Sequence, residues 1–408
     1  MNPLLPFEWV LATRFLREGL LQTIFITAGV SLGVSVIVFM SALITGLQDN
    51  FFKTLLDFQA QIVIKSPEEA PRSLQREQGI ESAALVQPRS QRERSLDQWQ
   101  KVRATTLATA GVLVVTPVIE GAAFIVRGDA NIGVGLRGIE PESYLRLIAL
   151  KEKIIGGSAN LTSTDVLIGR DLAKDLGLAL GDKLILKAAQ GARVLLFVSG
   201  IFDFGNQAQN SSAVYVALRT AQSLLGLPGG ITRLWVKVAA PFEAESTAQL
   251  IRAQPGILVE SWIETNADFF KALAGQNLSF FIIRLFVGLT AALGIASVLV
   301  VSVVQKSKEI GILRATGTTR GQILGVFLLQ GAMLGLLGSL FGSLMGWGFL
   351  NGWRGLAVDE QGVPFFTLEA KPMLYGVVAV GATVVGTLSA LFPAQRAARL
   401  DPAVAIRG

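Results

Sequence analysis

No charged residue lies between Glu18 and Asp49, between Arg284 and Lys306, between Arg320 and Arg354, or between Lys371 and Arg396. These stretches run to 30, 21, 33 and 24 residues. A helix rises about 1.5 Å per residue, so about 20 apolar residues cross a hydrocarbon core of roughly 30 Å. Lipid offers the backbone no hydrogen bonds, so each stretch must be a helix if it spans. Spans two to four crowd into the last third, while the interval from Asp49 to Arg284 is polar and turn-rich. The expected fold is an α-helical membrane protein with four transmembrane helices and a large α/β extracytoplasmic domain inserted between helices 1 and 2. The expected boundaries are an interfacial helix 1–19, helix 1 over 20–47, the extracytoplasmic domain 48–278 and helix 2 over 279–304. A coupling helix 305–320, helix 3 over 321–350, an outer loop 351–372, helix 4 over 373–393 and a cytoplasmic tail 394–408 follow. A mean hydropathy of +0.52 with 51% hydrophobic residues suits this hybrid and is too apolar for a soluble chain of 408 residues.

Two zeros narrow the chemistry. With no Cys there is no disulfide, thiolate metal site or thiol nucleophile, and with no His there is no Ser-His-Asp triad or HExxH site. No GxxxxGK[ST] loop is present, so no nucleotide-binding motif is expected in this chain, and no cofactor or metal either. The net charge is +6, but the basic residues are scattered, which argues against a nucleic-acid surface. An enzyme is not expected.

Orientation follows from the basic residues near the span ends. Arg14 and Arg17 precede span one, Lys306, Lys308, Arg314 and Arg320 fill the 305–320 segment, and Arg396, Arg399 and Arg407 follow span four. The loop between spans three and four is acidic by comparison, with Asp359, Glu360 and Glu369. Both termini and 305–320 are therefore expected in the cytoplasm of a multi-pass inner (cytoplasmic) membrane protein. Span one is too long for a signal-peptide core and is expected to be retained. Before it, Leu5, Trp9, Ala12 and Leu16 share a helical face opposite Arg14, Arg17 and Glu18, which suits a helix lying at the inner interface; the alternative is a helix running on into span one. Glycines recur four apart, Gly29 and Gly33 in span one, Gly331 and Gly335 and then, three residues on, Gly338, Gly342 and Gly346 in span three; they permit close helix approach, either to a second subunit or within the chain.

The insert reads as mixed α/β. Strands are expected at 60–65, 112–118, 122–127, 134–138, 166–168, 183–187, 194–202, 213–216 and 231–238. Ser95 and Gln98 form a capping-box pattern opening a helix over 96–110, and helices are expected at 170–176 and 242–253. The passage from Val236 to Glu243 into the last of these suggests a second small lobe. From Ser66 to Asp97, 11 of 32 residues are charged and none is aromatic, which favours a loop over packed structure.

Two strings then carry a resemblance. Lys306–Thr318, KSKEIGILRATGT, is similar to the basic-x-E-I-G-I-x-R-A-x-G signature of the MacB/LolC/LolE/FtsX-type permeases of ABC transporters. Pro393–Arg407, PAQRAARLDPAVAIR, resembles the P-A-x-R-A-A-x-x-D-P-x-x-A-L-R ending of the same family. In the insert, Val166–Leu186, Val198–Phe202 and Arg219–Leu227 look most like the lipoprotein-releasing branch.

The resemblance implies a permease subunit of an exporter that works by mechanotransmission. Its implied partners are an ABC ATPase dimer that binds the ATP, a second copy of itself or a homologous permease, the lipid bilayer, and an extracytoplasmic lipoprotein carrier or adaptor. The ATPase-coupling residues would be Lys308, Glu309, Ile310, Gly311, Leu313, Arg314 and Gly317, with Ile310, Leu313 and Gly317 along one side facing a partner cleft and Glu309 and Arg314 at its rim. Arg396, Arg399, Asp401 and Pro402 form the tail contact. Cargo, a lipoprotein foremost, would meet the outer halves of spans one and two. Gly29, Gly33, Ile37, Met40, Phe281, Arg284 and Leu285 are the expected cargo or interface residues, with Phe39, Leu43, Phe280 and Leu289 beside them. Alternatives are an FtsX-like regulator of a cell-wall hydrolase and a peptide or lipid exporter. Some lipoprotein-releasing permeases carry a long proline-containing hairpin that recruits the carrier; here the connection at 188–192 is short and has no proline, which sets carrier recruitment apart from the rest.

Overall fold

The computed structural model describes residues 6–67, 95–128, 130–356 and 370–401. The chain divides into two compact units, Met1–Phe52 with Ala272–Gly408, and Lys53–Lys271. In chain order, α1 (Phe7–Glu18) and α2 (Leu20–Phe58) precede β1 (Ile62–Lys65), α3 (Trp99–Leu107), β2 (Val112–Arg127) and β3 (Ala130–Ile139). Next come α4 (Pro141–Leu147), β4 (Ile154–Gly157), β5 (Asp165–Gly169), α5 (Arg170–Leu176), β6 (Lys183–Ala188) and β7 (Arg193–Phe202). Then follow α6 (Gln207–Ser212), β8 (Ala213–Ala217), α7 (Leu218–Leu224), β9 (Arg233–Val238), α8 (Ala244–Arg252), β10 (Leu258–Ser261) and α9 (Trp262–Thr265). The last elements are α10 (Ala267–Gln305), α11 (Ser307–Ala315), α12 (Arg320–Leu356), α13 (Pro372–Ser389) and α14 (Leu391–Ala398).

Four helices, starting at Leu20, Ala267, Arg320 and Pro372, are long and apolar enough to cross a membrane. Central among them is α12, because its glycines open two of its faces. Gly331 and Gly335 lie against Gly386 and Ala382 of α13, whereas Gly338, Gly342 and Gly346 lie against Val30, Ser31, Val34 and Val38 of α2. A Cβ on Gly342 would stand 2.6 Å from the Ser31 carbonyl oxygen, so only glycine permits that approach. Where lipid supplies no hydrophobic drive, such close backbone contact is what holds helices together. The span-three ladder is thus packing within this chain. By contrast, α10 buries only Ile295, Leu299 and Val303 among its described residues, one stripe at four-residue spacing.

Gly19 leaves the helical conformation (φ −97°, ψ 41°) and separates α1 from α2, so the two are distinct helices. The face that α1 buries is Ala12 and Phe15, turned onto α12 with the Phe15 and Phe327 rings 6.3 Å apart. Of the Trp9–Ala12–Leu16 face, Ala12 is buried, Leu16 is half-buried and Trp9 is exposed; Leu5 lies outside the described residues.

In the Lys53–Lys271 unit, β2, β3, β8, β5, β7 and β6 close into a ring, since β6 pairs with both β2 and β7. The first half of β2 also pairs with β9, giving a flank of order β10-β1-β9-β2, all antiparallel. With α3 and α8 as crossovers, this flank is a split β-α-β pair, assembled from both ends of the unit around the ring. A second lobe therefore exists, but Val236 enters a sheet begun at Ile62 instead of starting a new one, and both lobes share β2. That strand is continuous where the sequence suggested two, because Glu120 and Gly121 stay paired to Arg137 and Leu136. α3 starts at Trp99 after Gln98 in a left-handed conformation (φ 47°) with no side-chain cap, so the Ser95–Gln98 capping box does not form. The loop expected over 66–97 lies mostly outside the described residues.

Candidate functional site

The segment 306–320 joins α10 to α12 through α11, and both of its ends are stiff. After α11, the Gly317 N–H bonds to the Arg314 carbonyl at 3.2 Å and the Thr318 N–H to the Leu313 carbonyl at 3.0 Å, with Gly317 at φ 105°. This is a Schellman closure, which needs a glycine in the left-handed region. Thr319 and Gln322 then cap α12 reciprocally: the Thr319 N–H donates to Gln322 Oε1 at 3.0 Å and the Gln322 N–H to Thr319 Oγ1 at 3.3 Å. At the other end one non-helical residue, Lys306, separates α10 from α11. Its ammonium pairs with Glu18 of α1 and with Glu309 at 2.9 Å, and lies 5.7 Å from the Phe15 ring centre. Glu18 also accepts from Arg14 at 2.8 Å. Lys306 first and Arg14 second hold the Glu18 carboxyl below the usual carboxylate range, and Glu18 in turn raises Lys306.

Burial around α11 differs from the sequence expectation. Ile310 is 0% exposed and Gly311 is buried; Ile310 belongs to the core cluster that also holds Ala12 and Phe15 of α1 and Ala394 and Ala397 of α14. The apolar side chain that faces outward is Ile312, 54% exposed, flanked by the exposed Lys308, Glu309, Ala315 and Gly317; Leu313 is half-buried. Arg314 is not a rim charge: its guanidinium donates to the carbonyls of Ala398 (3.2 Å) and Leu400, at the C-terminal end of α14. A cation there complements the helix dipole and satisfies carbonyls that lack an intrahelical donor. The P-A-x-R-A-A string folds accordingly: Pro393, Ala394, Ala397 and Ala398 are buried while Arg396 and Arg399 point outward. Asp401 is exposed, and Pro402 lies outside the described residues. Glu18, Lys306, Ile312, Thr319 and Gln322 were missed as site residues; the Thr-x-x-Gln spacing was the legible clue to the last two.

At the other end of the bundle, a Cβ on Gly33 would meet Val287 Cγ1 at 2.9 Å, so Gly33 packs on α10, while Gly29 has open space beside it. Arg284 donates to Ser41 Oγ at 3.0 Å, linking α10 to α2. Phe39 turns away from α10, its ring 6.4 Å from Phe349 and 6.0 Å from Trp353 of α12, and Leu43 joins the Ala42–Leu350 cluster. Ile37 and Met40 are half-buried; Phe281, Leu285 and Leu289 are exposed. Among the described residues no group of His, Cys, Asp or Glu is placed to hold a metal ion.

Residues 23–254 match the MacB-like periplasmic core domain and residues 280–402 the FtsX-like permease C-terminal domain. The lipoprotein-releasing system transmembrane protein LolC of Xylella fastidiosa is 24% identical, the match covering 98% of this chain and 99% of that protein. The macrolide export ATP-binding/permease protein MacB of Agrobacterium fabrum is 27% identical over 75% of this chain and 49% of its own length. The periplasmic region of MacB from Actinobacillus actinomycetemcomitans overlays 55% of this chain and 98% of its own, at 14% identity and a TM-score of 0.35. With one domain of the family spanning the insert and the other the last three long helices, this chain belongs to the MacB/FtsX family of ABC transporter permeases, of the LolC/MacB type.

Proposed function

We propose that this chain is the membrane subunit of an ABC exporter that extracts an amphiphile, a lipoprotein foremost, from the outer leaflet of a bacterial inner membrane. A separate ATPase supplies the work, and the chain acts with a second copy of itself or a homologous permease. Full-length similarity to LolC supports the substrate class, and the basic residues at 305–320 and at both termini support a cytoplasmic placement of the corner.

The observation that carries the mechanism is the corner itself. A Schellman closure and a capping box leave no slack between α11 and α12, while Lys306 and Arg314 bind α11 to α1 and α14. A push on the outward face of α11 therefore reaches α10 and α12 as rigid displacement, without any chemistry in this chain. Ile312 seats in the ATPase, with Lys308 and Glu309 setting register around it. Ile310 and Gly311 anchor the helix from behind. Cargo meets α10 at Phe281 and Leu285 and α2 at Ile37 and Met40, where Arg284 is available to a headgroup at the cost of its bond to Ser41. Carrier recruitment is not assigned to the β6–β7 hairpin, which closes tightly with the Ala188 N–H on the Ala192 carbonyl at 2.9 Å.

The test is Ile312→Asp in the purified complex. The expected result is loss of the co-purifying ATPase with thermal stability little changed, since Ile312 is mostly exposed and lies outside the chain's buried core. Normal assembly and normal stimulated ATP hydrolysis in this variant would overturn the assignment.

A further inference from the structure

Between α1, α2, α10 and α12 lies a cavity of about 210 Å³. Its apolar wall includes Leu299 and Leu334, and its polar wall includes Ser302, Glu18, Lys306 and Gln330. Gln330 is 1% exposed. Its Nε2 donates to the Ala12 carbonyl at 3.4 Å, which fixes the amide, because a carbonyl only accepts. Its Oε1 then has no hydrogen-bond partner among the described residues. A buried acceptor at a cavity wall calls for a donor from whatever enters.

The charges around the cavity choose the class of donor. Arg14 and Lys306 are balanced by Glu18 and Glu309, so the site has no surplus for a net-anionic headgroup. A zwitterion matches: a phosphate beside Lys306, and a cation beside Glu18 and Gln330. Choline has no N–H to give Gln330 Oε1, whereas a primary ammonium has three donors.

We propose that this cavity binds the headgroup of an aminophospholipid of the phosphatidylethanolamine class. Its ammonium donates to Gln330 Oε1 and Glu18, its phosphate accepts from Lys306, and its acyl chains leave along the exposed flank of α10. Assignment to the inner leaflet rests on the orientation proposed above, but the binding chemistry does not, so the two fail separately.

The test is native mass spectrometry of the purified full-length chain, reconstituted with phosphatidylethanolamine, phosphatidylcholine or phosphatidylglycerol of matched acyl chains. Wild type is expected to retain phosphatidylethanolamine about tenfold over phosphatidylcholine, the worth of one charge-assisted hydrogen bond. Gln330→Leu should cut that preference several-fold, Glu18 alone holding the remainder, and Gln330→Glu, which keeps an acceptor, should hold it. Equal retention of the three lipids by wild type, as for a cavity filled only by water, overturns the proposal. So does a preference for phosphatidylglycerol, or a preference unchanged in Gln330→Leu. The wild-type comparison decides even where a variant fails to fold.

Discussion

At the scale of single residues, two positions link local geometry to measurable energy. Gly317 holds φ 105° in the Schellman closure, and a Cβ added there would meet nothing within 4 Å, so no steric contact adds to the backbone effect. Gly317→Ala should therefore cost about 1–2 kcal/mol from backbone conformation alone. It should also reduce coupling to the ATPase more than a surface alanine elsewhere on α11; thermal unfolding read together with stimulated ATP hydrolysis checks both. Asp203 sits after β7, where burial opposes its charge but the Gly205 N–H (2.8 Å), Asn210 Nδ2 (2.8 Å) and Arg170 (2.6 Å) outweigh that and hold its carboxyl low. A carboxyl depressed in the folded state stabilises above the ordinary value near 4 and loses that contribution as pH falls through its lowered one. Wild type should thus lose stability on acidification below about pH 4 in a step that Asp203→Asn lacks. Melting curves across that range show it, with the variant already weaker at pH 7.

At the scale of elements, the two glycine sets make opposite predictions. Gly342→Leu places a side chain against the Ser31 carbonyl and the Val34 side chain, and overpacking of that kind costs about 1–3 kcal/mol or more. Gly29→Leu meets open space and should leave the chain's own stability unchanged, so any loss of oligomer in that variant locates a subunit contact at Gly29. Size-exclusion with a denaturation curve separates the two outcomes. Legibility follows the same division. The four long helices were readable because an absence of charge over a bilayer's thickness has few other meanings. Strands β5 to β8 were readable as short apolar runs of Val, Ile, Leu and aromatic residues separated by polar or glycine-containing turns. Which side of α11 faces inward was not, since Ile310, Ile312 and Leu313 are equally apolar in sequence and only the neighbouring α1 and α14 decide between them. The Glu18–Lys306 pair, 288 positions apart, leaves no local pattern at all. Nor does the sharing of β2, which depends on β9 returning from far along the chain.

At the scale of the whole molecule, the first question is which side each segment occupies, and a chain without cysteine makes the measurement clean. In Asn160→Cys, an exposed position in the insert, a membrane-impermeant thiol reagent should label intact cells or spheroplasts; in Ala315→Cys, on the outward face of α11, it should label only after lysis. The opposite pattern would reverse the orientation and remove the proposed ATPase contact with it. The uneven burial of the long helices carries a mechanical consequence. The bundle grips α10 through Ile295, Leu299 and Val303, near the end that meets α11, and farther along through little more than Val287 against Gly33 and Arg284 to Ser41. Such a helix is a cantilever, clamped at its foot and lightly guyed above. From Ile295 back to Ala272 the length beyond this clamp is about 35 Å at 1.5 Å per residue, so a tilt of about 5° at the foot sweeps the tip through about 3 Å.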